Sequence, residues 1–556
     1  LAAARYFYTK VFKQFSCPAK RLAMLQISSD LKILLACCAL VLSACGGAGT
    51  DRSSISTLLD VIKDPVTGLI SPVQEYATKV VSCATGDVPE TALQGQVPAA
   101  LRVAGFKGFH CNMELAGQLL GEGGGVSSAT FKDNAGRTCA YHATTAPKPG
   151  RVNPGVPVID ITDPTKPVRT MSLTTAAMID PWESLRANPV RKMLFADSGV
   201  STTGTGGGGP EIDIYDLSAD CRTPQLLTST ALTYTQADGT QAPINGHEGN
   251  ISPDGMTYYV GDLTNGFYHA VDVSNPTRPK VVASYAMASS PIGKLPHGLS
   301  VSTDGTRLYA VGYDLGSPAD VVNPNFKANN GFITLDVTDI QMRKPKPQFR
   351  VVSSVAYKDG NVAQHTVITQ INGKSYIVMV DEAGSAGLST VASVKAACAA
   401  GMSPFPLARI YDMSDETKPV LVSKLKLETH EVRNCDALLP DVADLAVFTY
   451  GSHYCSVDDT ANATAMACSY WNSGIRVFDI RNPAQPKEIA YFNPPATSTP
   501  PTGSGQVAFG QWRQGGADWC ASRLDFDKAR GLLTTMCMNN GLLVMKFKNN
   551  VWPFKT

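Results

Sequence analysis

One pattern recurs six times along this chain and limits the folds open to it more than any other feature. A β-rich run ends in Asp and an apolar residue, a turn follows, then Pro and a second apolar run. The copies are VIDITDPTKPV around Asp160, IYDLSADCRTPQLL around Asp216, AVDVSNPTRPKVV around Asp272, TLDVTDIQMRKPKPQFRVV around Asp336, IYDMSDETKPVLV around Asp412 and VFDIRNPAQPKEI around Asp479. Consecutive Asp residues lie 56 to 76 residues apart, and a degenerate seventh copy, LLVMKF, puts Lys546 in the Asp position. Ser, Thr, Asn or Asp ahead of Pro favours a side-chain-capped turn, with Pro presetting the next φ. The flanks are rich in Val, Ile and Tyr, which predicts strands. The repeat Asp residues are expected to accept hydrogen bonds that fix a turn or a blade contact.

A second motif precedes several copies. HEGNISPDGMTYYVGD starts at His247, HGLSVSTDGTRLYAVGY at His297 and WESLRANPVRKMLFAD at Trp182. Each reads as strand, tight turn, strand, a β-hairpin. Hairpin plus the two later strands makes a four-stranded antiparallel unit that cannot bury both faces alone; packing like units in a ring buries them all. The expectation is an all-β β-propeller of seven four-stranded blades over residues 105–550. Long inserts at 312–331, 381–407 and 435–470 exceed what such blades need, and long loops are commonly functional.

The D-[IV]-[ST]-[DN]-P-x-x-P pattern resembles the LVIVD-repeat family, and the hairpins with their SPDG turn resemble YVTN-type propellers. The resemblance spans about residues 105–550. It implies a β-propeller and carries no expectation about activity.

Ahead of the repeats the chain reads differently. Residues 24–45 run MLQISSDLKILLACCALVLSAC: a Met, a Lys, an apolar run from Ile33 to Leu42, then Leu42-Ser43-Ala44-Cys45. The apolar run is short for a membrane span and suits a signal peptide. The ending matches the bacterial lipobox. That resemblance implies a start at Met24, cleavage before Cys45 and a lipid on Cys45 that tethers the protein to the membrane; Gly46 points to the outer membrane. Residues 1–45 are therefore expected to be leader and signal, and 46–104 a linker and short lead-in. An even ten Cys follow Cys45, with no C-x-x-C among them, which favours disulfides in an oxidising compartment. Cys455 and Cys468 suggest a local clamp. Cys111, Cys139, Cys520 and Cys537 sit at similar places in the first and last units and are expected to pair within those units or across the seam between them.

Alignment of unit starts raises the central functional question. The first strands begin at His110, Trp182, His247, His297, His365, His430 and a position near Trp519, so five of the eight His share one place in the repeat. In a propeller, equivalent first-strand positions converge on the axis. His247, His297, His365, His430 and His110 could thus bind Cu, Zn, Fe or Ni through imidazole nitrogen; equally, they could be a fold signature that ties neighbouring blades. Glu183, Glu248 and Glu431 follow three of the starts. Glu248 and Glu431 are ligands only if the strand start is irregular, since adjacent residues face opposite ways, and otherwise orient a neighbouring His. His142, His269 and His453 read as surface or packing residues.

Two functional expectations follow. The first is an exported, lipid-anchored binding or scaffold protein at the cell envelope, with a protein or small-molecule ligand on a propeller face. The second is a metal-dependent, oxidoreductase-type enzyme with its site in the channel; selenium-binding-protein and methanethiol-oxidase propellers are a distant analogue. A net charge of +1 leaves no basic excess for a nucleic-acid partner. The glycine-rich stretches 121–125 and 204–209 lack the Lys and helix context of a phosphate loop.

Overall fold

Among the described residues, seven antiparallel sheets of four or five strands form the blades that the repeat predicts, and a small two-stranded sheet, Thr233–Thr235 with Gln241–Pro243, lies between blades two and three. They are seen in a computed structural model that describes residues 77–554 apart from 122, 145–152, 199–210, 324, 446 and 500. Met24, Cys45 and the 204–209 stretch lie outside the described residues. Blade one comprises Ser128–Lys132, Thr138–His142, Val156–Asp160 and Val168–Leu173. Blade two runs from Arg186 to Ala231, blade three from Glu248 to Ala286, blade four from Leu295 to Tyr357, blade five from Asn361 to Leu425 and blade six from Ser452 to Asn493. Blade seven takes three strands from Asp525–Asp527, Leu532–Cys537 and Gly541–Phe547, and its outer strand, Met113–Leu119, from the other end of the chain. Apolar clusters fill the spaces between successive blades; Val378, Ile410, Met466 and Phe478, for example, pack blade five on blade six.

All six repeat Asp residues close a third strand, and each accepts a hydrogen bond from the backbone N–H two residues on, at 2.7 to 3.0 Å. They are turn residues, as their sequence context suggests.

Ring closure corrects the place given to His110. Spacing makes it the start of a first blade. Instead Phe109–Cys111 adds a fifth, outermost strand to blade six, and the next residues close blade seven. A segment that pairs with the last blade to shut the ring cannot also begin the first, so blade one starts at Ser128. The lead-in is stitched to the same side: Val88 pairs with His110, Ala77 and Lys79 bridge to Lys426 and Lys487, and a short helix spans Ala99–Val103.

The inserts have structure of their own. Helix Val391–Ala399 leaves blade five and helix Cys435–Leu445 precedes blade six. They share an apolar cluster of Val394, Phe405, Leu438, Val442 and Tyr450, and the Cys398–Cys435 disulfide joins them.

Four further disulfides pair the remaining eight Cys after Cys45. Cys455–Cys468 clamps the first hairpin of blade six, and Cys520–Cys537 lies within the last unit, as expected. Cys111 and Cys139 take other partners. Cys111 holds the lead-in through Cys83, and Cys139 ties blade one to blade two through Cys221. The reason is again closure: with Cys111 on the edge of blade six, it faces the lead-in and not a seam. Cys139–Cys221 spans 82 residues against 13 for Cys455–Cys468. By the chain-entropy relation the longer loop is worth about 4.5 kcal/mol and the shorter about 3. The double replacement Cys139→Ser/Cys221→Ser is therefore expected to lower the denaturation midpoint more than Cys455→Ser/Cys468→Ser, as equilibrium unfolding in urea would measure.

Candidate metal centre in the channel

The first strands of blades four, five and six all break register at their inner end. The shifts fall at His297–Gly298, at Gln364 and at His453. Such bulges re-aim a side chain without ending the strand. Here they turn His297, Gln364 and His453 toward a common point, where Glu183, His247 and Glu382 also arrive. Gly298 permits the crowding: a Cβ there would lie 2.3 Å from Glu248 Oε2 and 2.5 Å from the Gln364 carbonyl oxygen.

Glu183 sits on the connection into blade two, just after Trp182, whose φ of +47° is unusual for a residue with a side chain. That conformation costs on the order of 1–3 kcal/mol and persists only where packing holds it. The Trp182 ring lies against Phe509 (5.8 Å between centroids) and His247 (6.0 Å). Glu183 is buried and reaches across to several blades. Its Oε2 accepts from Gln364 Nε2 (2.9 Å) and lies 3.6 Å from His247 Nε2; its Oε1 lies 3.4 Å from His453 Nε2. Glu382, at the end of the second strand of blade five, lies 3.5 Å from His453 Nε2 through Oε1 and 3.8 Å from His297 Nε2 through Oε2. The Nε2 atoms of His247 and His297 are 2.9 Å apart.

Behind this first layer, Glu248 Oε2 lies 3.3 Å from His297 Nδ1, while Oε1 accepts from Arg186 (3.1 Å) and pairs with Arg523. Glu248 thus stands where an orienting carboxylate behind a ligand imidazole would stand. His453 Nδ1 lies 2.5 Å from the Ala521 carbonyl oxygen, which can only accept, so Nδ1 carries the proton. Its Nε2, fully buried, has no hydrogen-bond partner of good geometry.

The electrostatics follow from burial and mutual charge. Burial would raise Glu183, but His297, His453 and His247 outweigh it and hold the carboxyl below its ordinary range. Burial, helped by charge on His297, pushes His247 down to about 3. Burial also acts against charge on His453, yet Glu183 and Glu382 lift it to about 10. Two carboxylates facing one imidazole nitrogen favour positive charge at that nitrogen, as a proton or as a metal ion that replaces it.

Of the five His aligned in sequence, the structure brings only His247 and His297 together. His365 lies next to the bulge at Gln364, so it turns away from the axis and meets the backbone of the neighbouring blade, 3.3 Å from the Cys455 carbonyl oxygen. His430 ends a 3-10 turn well before blade six; its Nδ1 accepts from Leu427 N–H and its Nε2 lies 2.9 Å from the Pro406 carbonyl oxygen. His110, on the outer edge of blade six, lies 3.5 Å from Asp87. The third imidazole is His453, read from sequence as packing. One signal pointed to it: His453 precedes its repeat Asp479 by 26 residues, and His247 precedes Asp272 by 25, whereas His430 is 49 away. Glu382 carries no repeat signal, because it belongs to a second strand. His269 and His142 do sit in packing roles, at Ser284 and Ala143.

An aromatic wall flanks the cluster. Trp471 packs 4.5 Å from the His453 ring, with Phe448 stacked on it at 4.2 Å, and Phe509 and Trp519 complete the group. Phe448, Phe509 and Trp182 are half-buried, so this wall reaches the surface.

The LVIVD repeat family matches residues 246–287, the span of blade three. No curated protein matches the chain. Among solved structures it is similar to a candidate 6-phosphogluconolactonase of Bacteroides uniformis, at 12% identity over 75% of this chain and 93% of that one, with a TM-score of 0.46. It is also similar to Kuenenia stuttgartiensis hydrazine synthase (11%, 79% and 97%, 0.44) and to the Pseudomonas aeruginosa periplasmic gluconolactonase (12%, 72% and 93%, 0.41). Likeness at this distance bears on neither activity nor substrate.

Proposed function

We propose that this LVIVD-repeat β-propeller is a metalloprotein that carries out metal-dependent, oxidoreductase-type chemistry on a small molecule entering its channel. The observation that carries the reading is His453: its ring is pinned through Nδ1 to Ala521, and its Nε2, without a hydrogen-bond partner of good geometry, faces Glu183 and Glu382, where a metal ion would take the place of a proton. With His247 and His297 the donors are three imidazoles and two carboxylates, a nitrogen and oxygen set without sulfur. Such a set suits Zn, Fe, Ni or Cu(II) rather than Cu(I). The His247 and His297 nitrogens, 2.9 Å apart and within hydrogen-bond distance of each other, are close enough for one ion about 2.1 Å from each to take both. The aromatic wall would shield the ion from bulk water on one side.

Export and attachment through a lipid on Cys45 belong to the same proposal. Five disulfides support an oxidising compartment.

The test is elemental analysis of the full chain, purified without an affinity tag and dialysed exhaustively. At least one transition-metal equivalent per chain is expected. A folded protein with no metal, before and after incubation with Zn2+, would overturn the reading and leave a scaffold propeller whose loops do the binding.

A further inference from the structure

We infer that the channel centre is built for two ions, bridged by the carboxylates of Glu183 and Glu382. The inference rests on the metalloprotein reading above and adds to it a count and a bridging role for two named residues. Its basis is the way each carboxylate divides between two poles. At one pole stand His247 and His297; at the other stands His453. Glu183 presents Oε2 to His247 (3.6 Å) and Oε1 to His453 (3.4 Å). Glu382 presents Oε2 to His297 (3.8 Å) and Oε1 to His453 (3.5 Å). Two groups of potential ligands result, Glu183–His247–His297 and Glu183–Glu382–His453, each with its donor atoms within 4.8 Å of one another and with Glu183 in common.

A single ion makes poor use of this set. An ion midway between the poles would have to draw all three imidazoles inward, although His453 is anchored by Ala521 and His297 by Glu248. Two ions about 3.5–4 Å apart, the separation usual in paired sites, let each carboxylate bridge with one oxygen per ion. One ion then takes His247, His297 and an oxygen from each carboxylate. The other takes His453 and the remaining two oxygens, which leaves it the more open of the pair and the one nearer Trp471. Gln364, donating to Glu183 Oε2, and Glu248, behind His297, hold the bridge and one imidazole in place and touch no ion. Glu248 is itself balanced by Arg186 and Arg523, so the charge left for the ions to neutralise lies on the two bridging residues.

The experiment uses the full chain, stripped with a chelator and titrated separately with Zn2+ and with Mn2+, with tight equivalents counted after gel filtration. Electron paramagnetic resonance is recorded on the Mn2+ form. Two equivalents per chain are expected, with the exchange-broadened spectrum of a coupled Mn2+ pair. His453→Ala is expected to keep one equivalent and give the six-line signal of an isolated ion, with circular dichroism unchanged. One tight equivalent in the unmodified chain overturns the paired arrangement and leaves the single-ion reading standing. Two equivalents without coupling also overturn it, since the ions would then be too far apart to share Glu183. No tight equivalent of either metal overturns both readings.

Discussion

Glu183→Ala is expected to empty the channel of metal. Because this carboxylate faces His247 on one side and His453 on the other, its loss removes a donor from both poles and the acid to which Gln364 donates. Losing a residue behind a ligand costs about 10- to 100-fold in metal affinity; losing the shared ligand should exceed the upper end of that range. Competition with a chromophoric chelator would measure it. The contrast set matters as much: His110→Ala, His365→Ala and His430→Ala should retain metal at the level of the unmodified chain, because none of these rings reaches the cluster. Unchanged affinity in Glu183→Ala, or loss in His110→Ala, would place the metal elsewhere.

The second large effect concerns stability. Arg476 is fully buried on the third strand of blade six; it donates to Glu488 at 2.7 Å and pairs with Glu90 of the lead-in. Its guanidinium also lies over the Tyr491 ring, 5.1 Å from the centroid. Arg476→Met keeps the volume and removes the charge, leaving two acids buried side by side. Breaking a buried pair in this way costs about 3–5 kcal/mol, seen as a fall in the denaturation midpoint. Adding Glu488→Leu should restore part of the loss, since a buried ion network can be replaced by apolar packing more cheaply than it can be broken. A double variant no more stable than Arg476→Met would show that the packing around Glu488, rather than its charge, is what matters.

The fold was open to sequence reasoning because each blade repeats the same local chemistry. The Asp–Pro turn after the third strand of six blades and the tight hairpin between the first two are determined within a few residues, and their period sets the ring. The centre was only partly open. His247 and His297 follow from alignment of hairpins, and Glu183 and Glu248 were visible beside them. His365 was misplaced by a single bulge, which exchanges the two faces of a strand and hands the inward position to Gln364. His430 stands out in sequence over His453 because an insert with its own helix separates blade five from blade six and puts an apparent unit start ahead of it. Glu382 lies near the end of a second strand, six residues past the partner of the repeat Asp, where blade four carries Tyr313; contact across the axis singles it out. Residues that meet from five blades are joined by geometry that no local window contains.

The outer strand of blade seven has a consequence for how the molecule is made. Met113–Leu119 emerges early in synthesis and must wait, without the strand it pairs with, until Gly541–Phe547 arrives more than four hundred residues later. Until then every donor of the centre already exists, but on an open arc with a bare strand edge at each end. Such edges invite pairing with other chains. A product cut short before its last strand therefore advertises its own incompleteness to chaperones and proteases, and only the finished chain hides both edges at once.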